Sequence, residues 1–155
     1  MPKQLGIKKI ADNRKAFHEY FVLERYEAGI ELAGTEVKSV RAGEVNLKDC
    51  FCTVKDGELF VRGMHISPYE HGNIFNRDPV RPRRLLMHKR EIVKLQARIM
   101  QDGVTLIPLS LYFKDSRVKV ELGLCKGKKL HDKRESSAER DTRREIDRAM
   151  KERNQ

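Results

Sequence analysis

The chain has 155 residues, enough for one domain whose core needs neither disulfides nor a metal. Lys and Arg number 33 against 23 Asp and Glu, and the net charge of +10 makes a field that attracts polyanions and weakens with salt. Three cysteines, an odd number, exclude a disulfide framework, and no run of about eighteen apolar residues or hydrophobic leader core is present, so a cytoplasmic protein is expected. Cys50 and Cys52 share a strand face at a spacing too wide to bridge, and Cys125 has no neighbour of its kind. All three read as buried thiols in a reducing compartment.

Residues 1–15 carry Lys3, Lys8, Lys9, Arg14 and Lys15 without an apolar period, which predicts a flexible basic arm. From Phe17 the pattern turns strand-like, with Phe17, Phe21 and Leu23 on one face and Tyr20, Val22 and Tyr26 on the other. A strand apolar on both faces predicts burial inside a barrel. A short helix follows, capped by Thr35, with Glu36 in its first turn, Lys38 and Arg41 near its end, Gly43 as its stop, and Val37 and Val40 toward the core.

Asp56-Gly57 predicts a hairpin between strands over 47–55 and 58–66. A loop rich in proline covers 67–82. The stripe Leu85, Ile92, Leu95 and Ile99 predicts a helix over 84–100, ended by Gly103. Thr105, Ile107, Leu109, Leu111 and Phe113 alternate along one strand, and Val118, Val120, Leu122 and Leu124 along the next, with a turn at Asp115-Ser116.

The order is strand, short helix, two strands, helix, two strands, tail. That string predicts a mainly β protein: a small antiparallel barrel of oligonucleotide-binding type, with five or six strands and a longer helix between strands three and four. An open α+β sheet would give a similar string. The expected division is an arm over 1–14, a barrel over 15–127 and a basic tail over 128–155, disordered or helical on binding.

No residues announce catalysis. The five histidines make no zinc-protease arrangement, and His65 and His71 lack a third ligand. Gly123 and Gly127 before Lys128-Lys129 miss the phosphate-loop spacing and its helix. Glu27, Glu31 and Glu36 offer the one carboxylate set that a metal-dependent nuclease could use, although capping and strand-edge roles explain them. No cofactor is implied.

Cations instead gather in three regions: the arm, the stretch from Arg77 to Arg98 that includes Arg81, Arg83 and Arg84, and the tail. Arginines before a helix can fork onto phosphates and stack on unpaired bases, with Tyr20, Tyr26, Tyr69 and Phe75 as candidate stacking partners. The tail has Glu139–Arg143 and Asp147–Lys151 pairs but only Ile146, Ala149 and Met150 as an apolar strip, so it needs a partner to order it. An RNA-binding adaptor fits this distribution; a structural ribosomal protein is an alternative.

Four stretches carry a resemblance. They are Glu27-Ala28-Gly29-Ile30-Glu31-Leu32-Ala33-Gly34-Thr35-Glu36-Val37-Lys38-Ser39-Val40-Arg41-Ala42-Gly43 with Asn46-Leu47-Lys48-Asp49, then Asp78-Pro79-Val80-Arg81-Pro82-Arg83-Arg84-Leu85-Leu86 with Lys89-Arg90-Glu91, then Pro108-Leu109-Ser110-Leu111-Tyr112-Phe113, and Gly127-Lys128-Lys129-Leu130-His131-Asp132-Lys133-Arg134. From about Ala11 onward the chain resembles the bacterial SsrA-binding protein (small protein B) family. The resemblance implies an oligonucleotide-binding-type barrel that binds the tRNA-like domain of transfer-messenger RNA and delivers it to stalled ribosomes for trans-translation. It implies no enzyme. Asn13, Arg14, Lys15, Glu27, Glu36 and Lys38 would sit on or support the RNA-binding face, with Arg83, Arg84 and Leu85 beside it. Gly127, Lys128, Lys129, His131, Asp132, Lys133, Arg134 and Met150 would serve ribosome engagement in the decoding centre and empty message channel. Elongation factor Tu is a further implied partner through the RNA complex, with its share of the delivery left open.

Overall fold

The computed structural model of the chain describes residues 7–69 and 76–128. His71, Phe75 and the tail residues beyond Lys128 lie outside that range, and with them the expected tail helix. The described elements are β1 (Ile7–Asp12), α1 (Arg14–Glu19), β2 (Tyr20–Ile30), α2 (Gly34–Arg41), β3 (Val45–Asn46), β4 (Phe51–Lys55), β5 (Glu58–Arg62), β6 (His65–Ile66), β7 (Arg83–Leu86), α3 (Lys89–Asp102), β8 (Thr105–Lys114) and β9 (Arg117–Gly127). Seven strands form one antiparallel sheet in the order β1-β8-β9-β2-β7-β5-β4, and β3 with β6 makes a separate ribbon. The mainly β, oligonucleotide-binding-like architecture is as expected. The sheet is not closed into a barrel: β4 comes alongside β8 but shares no ladder with it.

Local turn chemistry places the hairpins. Asp56 (φ 53°) and Gly57 (φ 76°) turn β4 into β5, and Asp115 (φ 50°) and Ser116 (φ 70°) turn β8 into β9. Two successive positive-φ residues match the right-handed twist of the flanking strands. Gly103, at φ 63°, ends α3 in the left-handed conformation. α2 begins two residues earlier than expected, with Ala33 at its N-cap and Thr35 inside its first turn. Val40 is buried there and Val37 only half-buried.

Several expectations are corrected. Residues 7–12 are no free arm: they pair with β8. Phe17 lies on α1 rather than on a strand, and Phe21 and Leu23 are exposed rather than enclosed. Arg83–Leu86 is a strand between β2 and β5, so α3 starts at Lys89, and Leu85 reaches the core from the sheet. The segment expected as one strand over 58–66 breaks at Gly63 (φ 78°) into β5 and β6.

Beta-bulges explain the misread faces. The register shifts between Lys9 and Ala11, between Val22 and Glu24, and between Pro108 and Ser110. Each extra residue reverses which face the following side chains occupy. Thus Leu106, Leu111 and Phe113 join the main core with Leu122, Leu124, Leu59, Val61, Ile92 and Leu95. Ile107 and Leu109 turn instead to a small second core with Ala16 and Cys125, bordered by Tyr20 and Val22. α1 covers that second core on the other side of the sheet.

The bulged strand presses on its neighbour. A Cβ on Gly123 would lie 2.7 Å from Leu109 Cδ1 and 3.0 Å from its Cγ. Because Leu109 is enclosed, it cannot swing away without disturbing α1. Gly123→Ala is therefore expected to cost about 1–3 kcal/mol through overpacking, read as a lower midpoint in urea with an unchanged slope.

Candidate nucleic-acid interface

The residues proposed from sequence separate into a buried frame and an exposed surface. Asn13 belongs to the frame. Its side chain accepts from the Ala16 amide (3.3 Å) to cap α1, and its Nδ2 donates to the Pro108 carbonyl (2.9 Å). Its own amide donates to the Leu109 carbonyl at 2.8 Å, fastening the end of β1 to the β8 bulge.

Glu36 and Arg83 form the centre of the frame, 4% and 0% exposed. Arg83 Nε donates to Glu36 Oε2 at 2.6 Å, while its Nη atoms reach the carbonyls of Met64 (2.7 Å) and Pro79 (3.0 Å). Arg81 donates to both Glu36 oxygens, and the Ala33 amide donates to Oε1 at 2.9 Å, closing the first turn of α2. Burial pushes the Glu36 carboxyl upward, but the hydrogen bonds from Arg81, the Ala33 amide and Arg83 outweigh it, and its pKa lies below the ordinary value. Burial lowers that of Arg83, opposed by Glu36. One carboxylate thereby holds α2, β7 and the loop before β7 together. Leu85 lies in the core beside this knot.

The exposed surface has three parts. At one end of β2, a groove is lined by Glu27, Gly29, Arg84, Leu86, His88 and Lys119. Gly29 keeps β2 and β7 close, since a Cβ there would lie 3.2 Å from Leu86 Cβ. Among the described residues the ion pairs of Arg84 are long, 3.9 Å to Glu31 and 3.7 Å to Glu58, both exposed. Such pairs exchange readily for a phosphate. Glu27 accepts from Tyr112 Oη (2.5 Å) and from Lys114 Nζ (3.3 Å). The Tyr112 hydroxyl foremost, then Lys114, hold its pKa below the ordinary range, so it remains an acceptor at neutral pH.

Lys38 and Arg41 lie on the outer side of α2, over the rings of Tyr69 (5.1 Å) and Phe113 (5.3 Å). Arg14 and Lys15 project from α1, where Lys15 Nζ meets Asp49 at 2.7 Å. The lysine pKa is raised by that hydrogen bond. Gly127 and Lys128, the described beginning of the expected tail site, close β9 next to α1, with the Lys128 amide donating to Glu19 O at 2.9 Å. Lys129, His131, Asp132, Lys133, Arg134 and Met150 fall outside the described residues.

Sequence reasoning missed Leu86 and Lys119. Lys119 alternates with the inward Val118 and Val120 and pairs across to Gly29, a signal that only the register makes legible. The three carboxylates of the nuclease alternative do not act together. Glu36 is enclosed by two arginines, Glu27 is bound by Tyr112 and Lys114, and Glu31 faces Arg84. Among the described residues, no three His, Cys, Asp or Glu side chains gather as metal ligands. No helix there is long and apolar enough to cross a membrane.

A bulged antiparallel sheet with a buried ion-pair frame and cations along its outer edge defines a small basic protein of the oligonucleotide-binding-like class. A family model described as SmpB protein matches residues 10–152. The chain is 62% identical over 143 residues to an SsrA-binding protein of Acetivibrio thermocellus, covering 92% of this chain and 93% of that one. It is 59% identical over 154 residues to an SsrA-binding protein of Clostridium perfringens, covering 99% of each. Among solved structures, a chain described under "tmRNA-SmpB: a journey to the center of the bacterial ribosome" superposes with a TM-score of 0.67 and 47% identity, over 82% of this chain and 93% of that chain. The chain belongs to the SmpB family.

The frame yields a pH-dependent prediction. Glu36→Gln leaves Arg83 buried without its counter-charge, and breaking such a pair costs about 3–5 kcal/mol at neutral pH. A carboxylate with a lowered folded pKa contributes fully above its unfolded value, about 4.3, and loses that contribution as pH falls through the folded value. Urea midpoints of the wild type and Glu36→Gln should therefore lie far apart at pH 7 and draw together only as pH falls below the unfolded value of about 4.3.

Proposed function

We propose that this protein is a non-catalytic adaptor that binds the tRNA-like domain of transfer-messenger RNA and brings it to stalled ribosomes for trans-translation. The observation that carries the reading is the near-full-length likeness to SsrA-binding proteins, 62% and 59% identical. The surface chemistry supports it. Arg84 and Lys119 provide cations for phosphates at one groove, and Glu27, kept ionised, accepts from a base N–H or a ribose 2′-hydroxyl. Lys38, Arg14 and Lys15 extend the cationic surface, while Asn13, Glu36, Arg83 and Leu85 support it from beneath.

Gly127 and Lys128 launch the tail. In this reading Lys129, His131, Asp132, Lys133, Arg134 and Met150 engage the decoding centre and the empty message channel, with His131 stacking on a base. Elongation factor Tu meets the protein through the shared RNA.

The test is a gel shift at about 150 mM salt, where generic attraction to phosphate is subdued. The tRNA-like domain should bind tightly and an elongator tRNA of similar length weakly. Arg84→Ala with Lys119→Ala should weaken the first by about tenfold or more. Deleting residues 131–155 should leave that affinity nearly intact and abolish peptide tagging; equal loss of both would overturn the division of labour.

A further inference from the structure

The groove at the end of β2 has the chemistry to read a base as well as to meet a phosphate. Its volume is about 460 Å³, within the span of about 300–1,000 Å³ typical of ligand sites. The strand register puts its walls on one face of the sheet. Gly29 is the direct partner of Leu86 on one side and of Lys119 on the other. Glu27 lies two residues from Gly29 and so shares that face. Tyr112, paired with Lys119, belongs to it too, which is how its hydroxyl reaches Glu27.

Charge argues against a phosphate alone in this groove. Two carboxylates, Glu27 and Glu91, line it together with the cations of Arg84 and Lys119. A phosphate set among all four would be repelled by as many charges as attract it. A base edge, which offers N–H donors beside acceptors, suits mixed charges. Leu86 is 46% exposed; it leans over Gly29 and turns the rest of its surface to the groove as an apolar wall for a ring.

Glu27 decides which base. Its side chain is 41% exposed, and a carboxylate has about four lone-pair positions. The Tyr112 hydroxyl takes one, and the Lys114 ammonium is shared between the two oxygens at 3.3 and 3.5 Å. Two donors against about four positions leave capacity for about two more. Guanine alone among the four bases sets two adjacent N–H donors, N1 and N2, on its pairing edge, beside the O6 acceptor. Adenine would turn its N1 lone pair toward the carboxylate, a repulsion that sharpens the choice. Lys119 stands near enough for its charge to help lower the Glu27 pKa, after the larger effects of Tyr112 and Lys114.

We infer that Glu27 and Lys119 read the pairing edge of an unpaired guanine in the tRNA-like domain of transfer-messenger RNA. Glu27 accepts from N1–H and N2–H, Lys119 donates to O6, Leu86 flanks the ring and Arg84 meets the adjoining phosphate. The inference rests on the proposed binding of that RNA.

The test is interference mapping on the tRNA-like domain at about 150 mM salt. The probe is a pool of transcripts in which inosine, lacking the N2 amine, replaces guanosine at single cleavable sites, and a gel shift separates bound from unbound. With the wild type, inosine at an unpaired guanine should lower the bound fraction by about tenfold. Glu27→Ala should reduce that one penalty to within about twofold, while paired guanines, where inosine loosens the duplex itself, respond alike in both proteins. Adenine at the mapped position should weaken the wild type by about tenfold. Glu27→Gln, whose amide presents one acceptor and one donor, should bind the adenine form at least as well as the guanine form. A penalty that survives Glu27→Ala, or a Glu27→Gln protein that still prefers guanine, would overturn the role of Glu27. Tight wild-type binding with no unpaired guanine sensitive to inosine would overturn the guanine and leave the proposed function standing. A wild type that does not bind the tRNA-like domain overturns both.

Discussion

The carboxylate of Glu36 is the point on which the outer architecture depends. It belongs to the first turn of α2, 45 and 47 residues from the two arginines that hold it, and it accepts from both of them and from the Ala33 amide. Arg83 carries the constraint outward through the carbonyls of Met64 and Pro79. A guanidinium with no access to water must have its donors satisfied in place, which fixes the loop before β7 to within hydrogen-bond tolerance. Arg84, the next residue, then points the other way by the alternation of a strand, and its position on the surface is set by the buried partner behind it. The frame and the exposed cations are two faces of one short strand.

The bulges perform the corresponding task for the rest of the sheet. A ribbon as long as β2 and β9 would ordinarily bury one face and show the other to water. Because β2 changes register midway, it supplies the small α1 core at its start and the main core at its end, while β8 sends Ile107 and Leu109 to the former and Leu106, Leu111 and Phe113 to the latter. That exchange lets α1 sit on the back of the sheet, while Phe21 and Leu23 stay exposed. Gly123 is the concession that accommodates the bulge at Leu109, just as Gly29 lets β7 approach β2.

What the sequence made legible was local. Asp56-Gly57 and Asp115-Ser116 marked both hairpins, Gly43 and Gly103 marked helix ends, and Ile92 with Leu95 marked the inner face of α3, since each signal needs only near neighbours. β1 and β7 were not legible, because Ile7–Asp12 and Arg83–Leu86 are strands only by virtue of partners far along the chain. The bulges were invisible for a related reason: alternation through Ile107, Leu109 and Leu111 looks unbroken until the partner strand reveals the extra residue. At the site, Arg84 came from the cationic stretch before α3 as well as from motif resemblance, and Glu27 from resemblance. Lys119 needed the pairing with Gly29, and the burial of Arg83 and Glu36 needed each other.

The three thiols have a consequence for the chemistry the protein can undergo. All are free and buried; burial raises the pKa of Cys50 to about 12 and that of Cys125 to about 11, and raises that of Cys52 well above the ordinary thiol value. At neutral pH the thiolate fraction of Cys125 is about one part in ten thousand, and that of Cys50 smaller still. Alkylating agents and peroxides therefore meet almost no nucleophile in the folded protein. Their rate of attack reports how often the sheet opens, so the cysteines serve as an internal clock of unfolding. A single cysteine placed on the surface would be labelled long before any of them.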